Sequence, residues 1–374
     1  VSKLKELEAR GTAPWLDFVD RKFLEEGGLK KLIEEDGLTG VTSNPTIFEK
    51  AMGHGTAYDG TLAEFDKANP DAATIDRYEA LAVQDIKAAA ETLRPVYDRM
   101  EAKDGYVSLE VSPYIADDTD ATIHEAQKLW KMVDRPNLMI KIPGTLAGGP
   151  AISATIAAGI NVNVTLLFAV EAYQRVAEAY ATGLEERVRQ GQPIDRIASV
   201  ASFFISRIDS AVDKLIDEKL KAGDGDAEAL NAIRGKVAIA NAKMAYQWFL
   251  DFEKSDRWQA LAAKGAQPQR LLWASTGTKD PSYPDTLYVD TLIGRDTVNT
   301  MPPKTMDAFR DHGTVADTLE TDIDDARRVL AEAERLGIDL KAITDTLVEE
   351  GVASFAKSFD DLLGAIQQKQ PAAA

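Results

Sequence analysis

Residues 137–145 read NLMIKIPGT. Leu138, Ile140 and Ile142 alternate with Met139 and Lys141, and Pro143-Gly144 ends the run as a turn ends a short strand. Lysine is rarely buried without compensation. Lys141 therefore either pairs with a carboxylate or presents its amine in a dry place. Desolvation disfavours the charged form of a lysine, and a neutral amine adds to a carbonyl to give a Schiff base. The protonated imine is an electron sink, so a neighbouring carbon–carbon bond can break and leave its electrons as an enamine. Such chemistry needs one acid/base for the hydroxyl proton on the carbon released. It needs another, working through a water, to expel water as the carbinolamine becomes the imine. Asp17 and Glu110 are the inward carboxylates that could serve. Spacing alone equally allows a structural ion pair between Lys141 and either of them. Taken singly, each carboxylate is better explained by hydrogen bonds to strand-end amides.

These residues sit on short apolar runs that alternate with longer amphipathic stretches. Candidate strands are 14–19, 40–45, 106–112, 137–143, 160–167, 197–204, 270–276 and 297–302. Between them lie helical patterns such as 76–100, where Tyr78, Leu81, Ile86 and Leu93 recur at helical spacing. Strand–helix alternation implies parallel strands with right-handed crossovers. Eight units predict an α/β fold: a single (β/α)8 TIM barrel over 1–374. Helical insertions are expected near 58–104 and 205–265, with closing helices at 315–367 and a frayed Ala/Gln-rich tail at 367–374. No GxGxxG follows the first strand, which weakens a dinucleotide-binding sheet. On each strand one parity is apolar and the other polar: Ser108, Glu110 and Ser112; Lys141; Asn161, Asn163 and Thr165; Asp17 beside Leu16 and Phe18; Ser202 beside Phe203. If the apolar parity faces the helices, the polar parity lines the barrel mouth at the strands' carboxyl ends, where such folds hold their sites. An antiparallel sheet with one wet face would alternate in the same way, but the intervening helices count against it.

Composition narrows the chemistry. Of 374 residues, 43 are basic and 61 acidic, a net charge of −18, so the surface repels polyanions and neither nucleic acid nor an anionic membrane is an expected partner. An anionic substrate would need a local cationic pocket. There is no cysteine, which excludes disulfides, thiolate nucleophiles and Cys-based metal sites. His54, His124 and His312 are too scattered to suggest a metal pair, and no GxSxG follows a strand. The start, VSKLKELEARG, reads as a charged helix and not a signal peptide, and no apolar run spans a bilayer; a soluble, cytoplasmic protein is expected. The loop GTLAGGP (144–150) suits a turn and helix start better than a phosphate cradle. Arg207 in SFFISR and Lys279 in STGTKD follow strands six and seven, near which barrels often bind phosphate. Each alone is more simply a solvated charge.

Five stretches together are more specific: GVTSNPTIFEKAM (40–52), SLEVSPYIADD (108–118), LMIKIPGT (138–145), GINVNVTLLFAVEAY (159–173) and ASFFISRIDSAVD (201–213). In this order they resemble the transaldolases, in particular a longer bacterial subgroup, from about residue 11 to about 365. The resemblance implies a class I aldolase-type barrel that needs no metal or organic cofactor. Such an enzyme moves a dihydroxyacetone unit from sedoheptulose 7-phosphate or fructose 6-phosphate to glyceraldehyde 3-phosphate or erythrose 4-phosphate in the pentose phosphate pathway. Its partners are small sugar phosphates, and a monomer or homodimer is expected. By resemblance Lys141 is the Schiff-base lysine and Asp17 handles the proton of the C4 hydroxyl. Glu110, with Thr165, positions a water for imine formation and hydrolysis. Asn44 and Asn163 hold substrate hydroxyls and the three-carbon unit, Ser202 lines the pocket, and Arg207 binds phosphate. Phe204 matches a phenylalanine of transaldolases where related fructose 6-phosphate aldolases tend to carry tyrosine. One stretch departs. The commoner subgroups carry Ala-Ser-Phe-Arg after strand seven, whereas here Ala274-Ser275 is followed by Thr276-Gly277-Thr278-Lys279. Ser275 fits, and Lys279 is the substitute cation; a point charge replaces a bidentate fork. The alternatives are an aldolase releasing free dihydroxyacetone and a non-catalytic sugar-phosphate binder.

Overall fold

A computed structural model describes residues 2–369. Eight parallel strands close in sequence order, β1 Thr12–Leu16, β2 Gly40–Val41, β3 Tyr106–Glu110, β4 Leu138–Pro143, β5 Val162–Leu167, β6 Ser199–Phe204, β7 Arg270–Ala274 and β8 Thr297–Met301. β8 pairs back onto β1. The expected (β/α)8 barrel is therefore present, with every strand in its predicted place. Five of them, β1, β2, β3, β7 and β8, end earlier than the hydrophobic pattern suggested. β2 is the extreme case, with only Gly40 and Val41 paired. Its sequence continues Thr42-Ser43-Asn44-Pro45, and Asn44 caps the helix Pro45–Met52, with proline at its first turn. Asn and Pro favour that helix start over a longer strand. Gly40 is also where space decides: a Cβ there would lie 2.3 Å from the Trp15 ring, which crosses the barrel floor and donates its indole N–H to Asp104 at 3.0 Å.

In-register neighbours of a parallel pair face the same way, so register assigns the interior. Trp15 pairs with Gly40, Gly40 with Tyr106, Glu110 with Lys141, and Lys141 with Asn163. The alternate parity, including Leu109, Ile140 and Val164, is buried beneath the helices. β5 is irregular. Its pairing with β6 shifts between Val164 and Leu167, and Leu166 has φ +58°, a conformation that side-chain-bearing residues rarely adopt.

The predicted helical stretches hold Asp59–Ala68 and Thr74–Arg99 between β2 and β3, and Ser206–Ala222, Ala227–Ala232, Val237–Glu253 and Asp256–Ala262 between β6 and β7. Ile323–Arg335 and Leu340–Gln368 follow β8. The expectation of a tail frayed from 367 is corrected in part. Gln367 and Gln368 belong to the last helix, and Lys369 beyond it donates to the Gly55 carbonyl and to Asp59. Residues 370–374 lie outside the described residues. Among the described residues no helix is long and apolar enough to cross a membrane.

Candidate active site

The carboxyl ends of β1 to β8 gather most of the predicted residues around Lys141. This side chain is 6% exposed; its Nζ donates to the Ser43 carbonyl at 3.3 Å and stands 3.9 Å from Glu110 Oε2. That is beyond hydrogen-bond length. Among the described residues neither carboxylate oxygen of Glu110 has a hydrogen-bond partner, nor has the Thr165 hydroxyl, although all three are buried. Buried polar atoms are nearly always paired, so three orphans in one layer mark a place built to receive something polar. Burial pushes the Glu110 carboxyl up to about 7, with Lys141 pulling it down and Asp17 pushing it up.

Asp17 follows β1 and is held from two sides. Its N–H donates to the Met301 carbonyl at 2.8 Å, and its Oδ1 accepts from Thr42 Oγ1 at 2.7 Å. Thr42 lies 2.6 Å from Thr300 Oγ1. Having one proton, which it gives to Asp17, Thr42 accepts from Thr300. Burial raises the Asp17 carboxyl above its ordinary value; Lys141, the Thr42 hydrogen bond, Arg207 and Lys279 each oppose this. Three cations thus converge on one carboxylate in a protein whose net charge is strongly negative.

A chain of hydrogen bonds crosses the interior below. Asn163 donates to Ser108 Oγ at 3.0 Å and accepts from Ser202 Oγ at 2.7 Å. Above it the Phe204 ring leans on Phe168, 5.1 Å between centroids. Arg207, in the first turn of Ser206–Ala222, lies with its guanidinium carbon 5.1 Å from the Phe204 ring and 5.9 Å from that of Phe355. No ion pair or hydrogen bond engages its side chain among the described residues; burial lowers its pKa, with Asp17 and Glu350 opposing. Ser275 Oγ meets Ser206 Oγ at 2.7 Å, and Lys279 is exposed on the loop beyond.

Two placements correct the sequence reading. Asn161 does not line the mouth. It precedes β5 and bonds the Pro136 and Leu138 carbonyls and the Ala198 N–H, at the amino end of the strands. Asn44 lies beyond its strand, and its side-chain oxygen accepts from Ile47 N–H at 2.9 Å as the helix cap, leaving the amide nitrogen for other contacts. Thr42, Ser43, Thr300 and Ser206 were not singled out as site residues. Strand parity alone would have turned Thr42 and Thr300 inward beside Asp17. A hollow of about 780 Å³, lined by Asp104, Arg270 and Arg295 among others, opens at the opposite end and includes none of the site residues.

Comparison with known proteins agrees with the geometry. The family described as Transaldolase/Fructose-6-phosphate aldolase matches residues 14–366. A transaldolase of Trichodesmium erythraeum is 49% identical over 370 residues, 98% of this chain and 97% of that protein. Transaldolase 2 of Nostoc sp. is 48% identical, covering 99% and 98%. A transaldolase of Thermobifida fusca is 47% identical, covering 98% of each chain.

Proposed function

The chain belongs to the transaldolase/fructose-6-phosphate aldolase family, and from that premise we propose that it acts as a transaldolase through a Schiff base on Lys141. The observation that supports this most directly is the Lys141–Glu110–Asp17 group at the carboxyl end of the barrel, with the amine 3.9 Å from a carboxylate whose oxygens are unpartnered. The Nζ of Lys141, after giving up its proton, attacks C2 of a ketose phosphate. Glu110, whose carboxyl sits near neutrality, passes a proton through a water shared with Thr165, and the carbinolamine oxygen departs as water. Asp17 then takes the proton of the C4 hydroxyl. The C3–C4 bond breaks, its electron pair is delocalised into the imine as an enamine, and the aldose phosphate leaves. With a new aldehyde the steps reverse: C3 attacks, the Asp17 proton goes to the new hydroxyl, and one water hydrolyses the imine.

The Asn163 amide, the Ser202 hydroxyl and the free nitrogen of Asn44 suit the hydroxyls of the three-carbon unit. Arg207, Ser275 and Lys279 suit the phosphate, the donors and acceptors being the sugar phosphates of the pentose phosphate pathway. Phe204 covers the enamine with a phenyl ring and no hydroxyl, which favours transfer over release of free dihydroxyacetone. Borohydride reduction with fructose 6-phosphate tests the reading. A stable three-carbon adduct is expected on the peptide containing Lys141 and is expected to vanish in Lys141→Ala. A wild-type protein that forms no adduct would leave only a sugar-phosphate binder.

A further inference from the structure

The loop after β7 is where the sequence departs from the commoner transaldolases, and it puts the second cation on a flexible stem in solvent. A lysine so placed loses both backbone and side-chain freedom when it grips a phosphate. It contributes only if its loop is already held. The structure holds this loop on both sides of Lys279. At its root Ser275 adopts φ +54°; its carbonyl accepts from Ser206 N–H at 3.1 Å and its hydroxyl meets that of Ser206. Thr276 donates to the Thr300 carbonyl at 3.1 Å.

Beyond Lys279, Asp280 folds the chain back by accepting from Ser282 N–H at 2.8 Å and Ser282 Oγ at 2.7 Å, and its carbonyl accepts from Tyr283 N–H at 3.1 Å. The Tyr283 hydroxyl then donates to Asp213 Oδ2 at 2.5 Å. Its seat is built to fit. Gly235, at φ +71°, lies under the ring so closely that a Cβ there would stand 2.8 Å from the ring carbon bearing the hydroxyl. Asp213 belongs to the helix Ser206–Ala222 that carries Arg207 in its first turn. One turn nearer Arg207, Asp209 accepts from the Tyr288 hydroxyl at 2.6 Å, a second anchor of the same segment. Lys279 and Tyr283 are only four positions apart, at most about 14 Å of extended chain.

We propose that Tyr283, bonded to Asp213, is a positioning residue for Lys279: it fixes the distance between Lys279 and Arg207 and so sets recognition of the phosphorylated end of the substrate. This rests on the reading of Arg207 and Lys279 as the phosphate-binding pair. In the full-length protein, Tyr283→Phe removes the one hydroxyl and keeps the ring over Gly235. It should raise KM for fructose 6-phosphate about threefold to tenfold, in the lower part of the range for groups coupled through a shared backbone segment, and leave turnover of unphosphorylated fructose unchanged. With Lys279→Ala already in place, Tyr283→Phe should add nothing. Asp213→Asn, which keeps an acceptor but loses the charge, should fall between. If Lys279→Ala leaves KM for fructose 6-phosphate unaltered, the phosphate role of Lys279 fails and the proposal with it. If Lys279→Ala raises KM but Tyr283→Phe acts equally on both backgrounds, or equally on fructose, Tyr283 is only part of the scaffold and the proposal alone is overturned.

Discussion

Glutamine in place of Glu110 should make the protein less sensitive to alkali, and the size of the change follows from one buried proton. The Glu110 side chain is 3% exposed and its carboxyl is raised from 4.5 to about 7, burial being the largest cause. Between those values the folded protein holds a proton that the unfolded chain has released. Stability therefore falls as pH rises through this window. The gap between the two values corresponds to about 3 kcal/mol in all. Glu110→Gln carries no such proton. Whatever glutamine changes in packing or in its contact with Lys141 enters as an offset, whereas the slope against pH belongs to the carboxyl. The sequence pI is about 4.7, where solubility is poorest, so urea unfolding followed by tryptophan fluorescence is best run from pH 5.5 to 8. Over that range the stability of Glu110→Gln minus that of wild type should grow by about 2 kcal/mol as pH rises. A difference that is flat, or that grows as pH falls, would refute the claim that Glu110 is held protonated near neutrality.

Two further substitutions probe the surroundings of the site. Thr42→Val removes a hydrogen bond that favours the charged form of Asp17, so the acid limb of the kcat/KM profile should move to higher pH; an unmoved limb would mean that Asp17 does not govern it. Gly351→Ala would set a methyl 2.8 Å from Leu166 Cδ2 and 3.6 Å from an Arg207 nitrogen, pressing the last helix off the β5 bulge. It should cost about 1–3 kcal/mol by overpacking and raise KM for phosphorylated donors. Unchanged urea midpoint and KM would show that the helix has slack there.

The barrel was legible because its strands carry the period of two on a closed sheet, and because the polar parity could only turn toward the mouth. Asp17, Glu110, Lys141, Asn163 and Ser202 came out together for that reason. What stayed hidden depends on contacts far apart in sequence or on local competition. Thr42 and Thr300 meet across 258 positions. Asn44 looked like a strand residue but spends its side-chain oxygen on the helix it starts, and Asn161 shares the parity of Asn163 yet lies at the wrong end of the strand. Nothing in VNVTLL announces the left-handed turn at Leu166, which no glycine or asparagine marks.

What the Lys141–Glu110 pair fails to do favours the proposed reactive amine over a structural ion pair. A salt bridge kept for stability closes to hydrogen-bond distance and satisfies its remaining oxygens, because the cost of burying both charges is otherwise not recovered. The protein shows that it can build such pairs: Arg21 meets Asp85 at 3.0 Å, similarly buried, while Tyr58 donates to Asp85 and Arg21 donates to Thr61 and Gln84. At Lys141 the separation is 3.9 Å and the Glu110 oxygens are bare. Well-packed apolar residues in these two positions would be no less stable. At this separation no oxygen fits on the line between amine and acid, but one lying to the side can hydrogen-bond to both, which is where a carbinolamine hydroxyl or the water it becomes would stand. An arrangement that stability does not favour, with unpartnered acceptors beside the amine, fits the proposed reaction better than a structural ion pair.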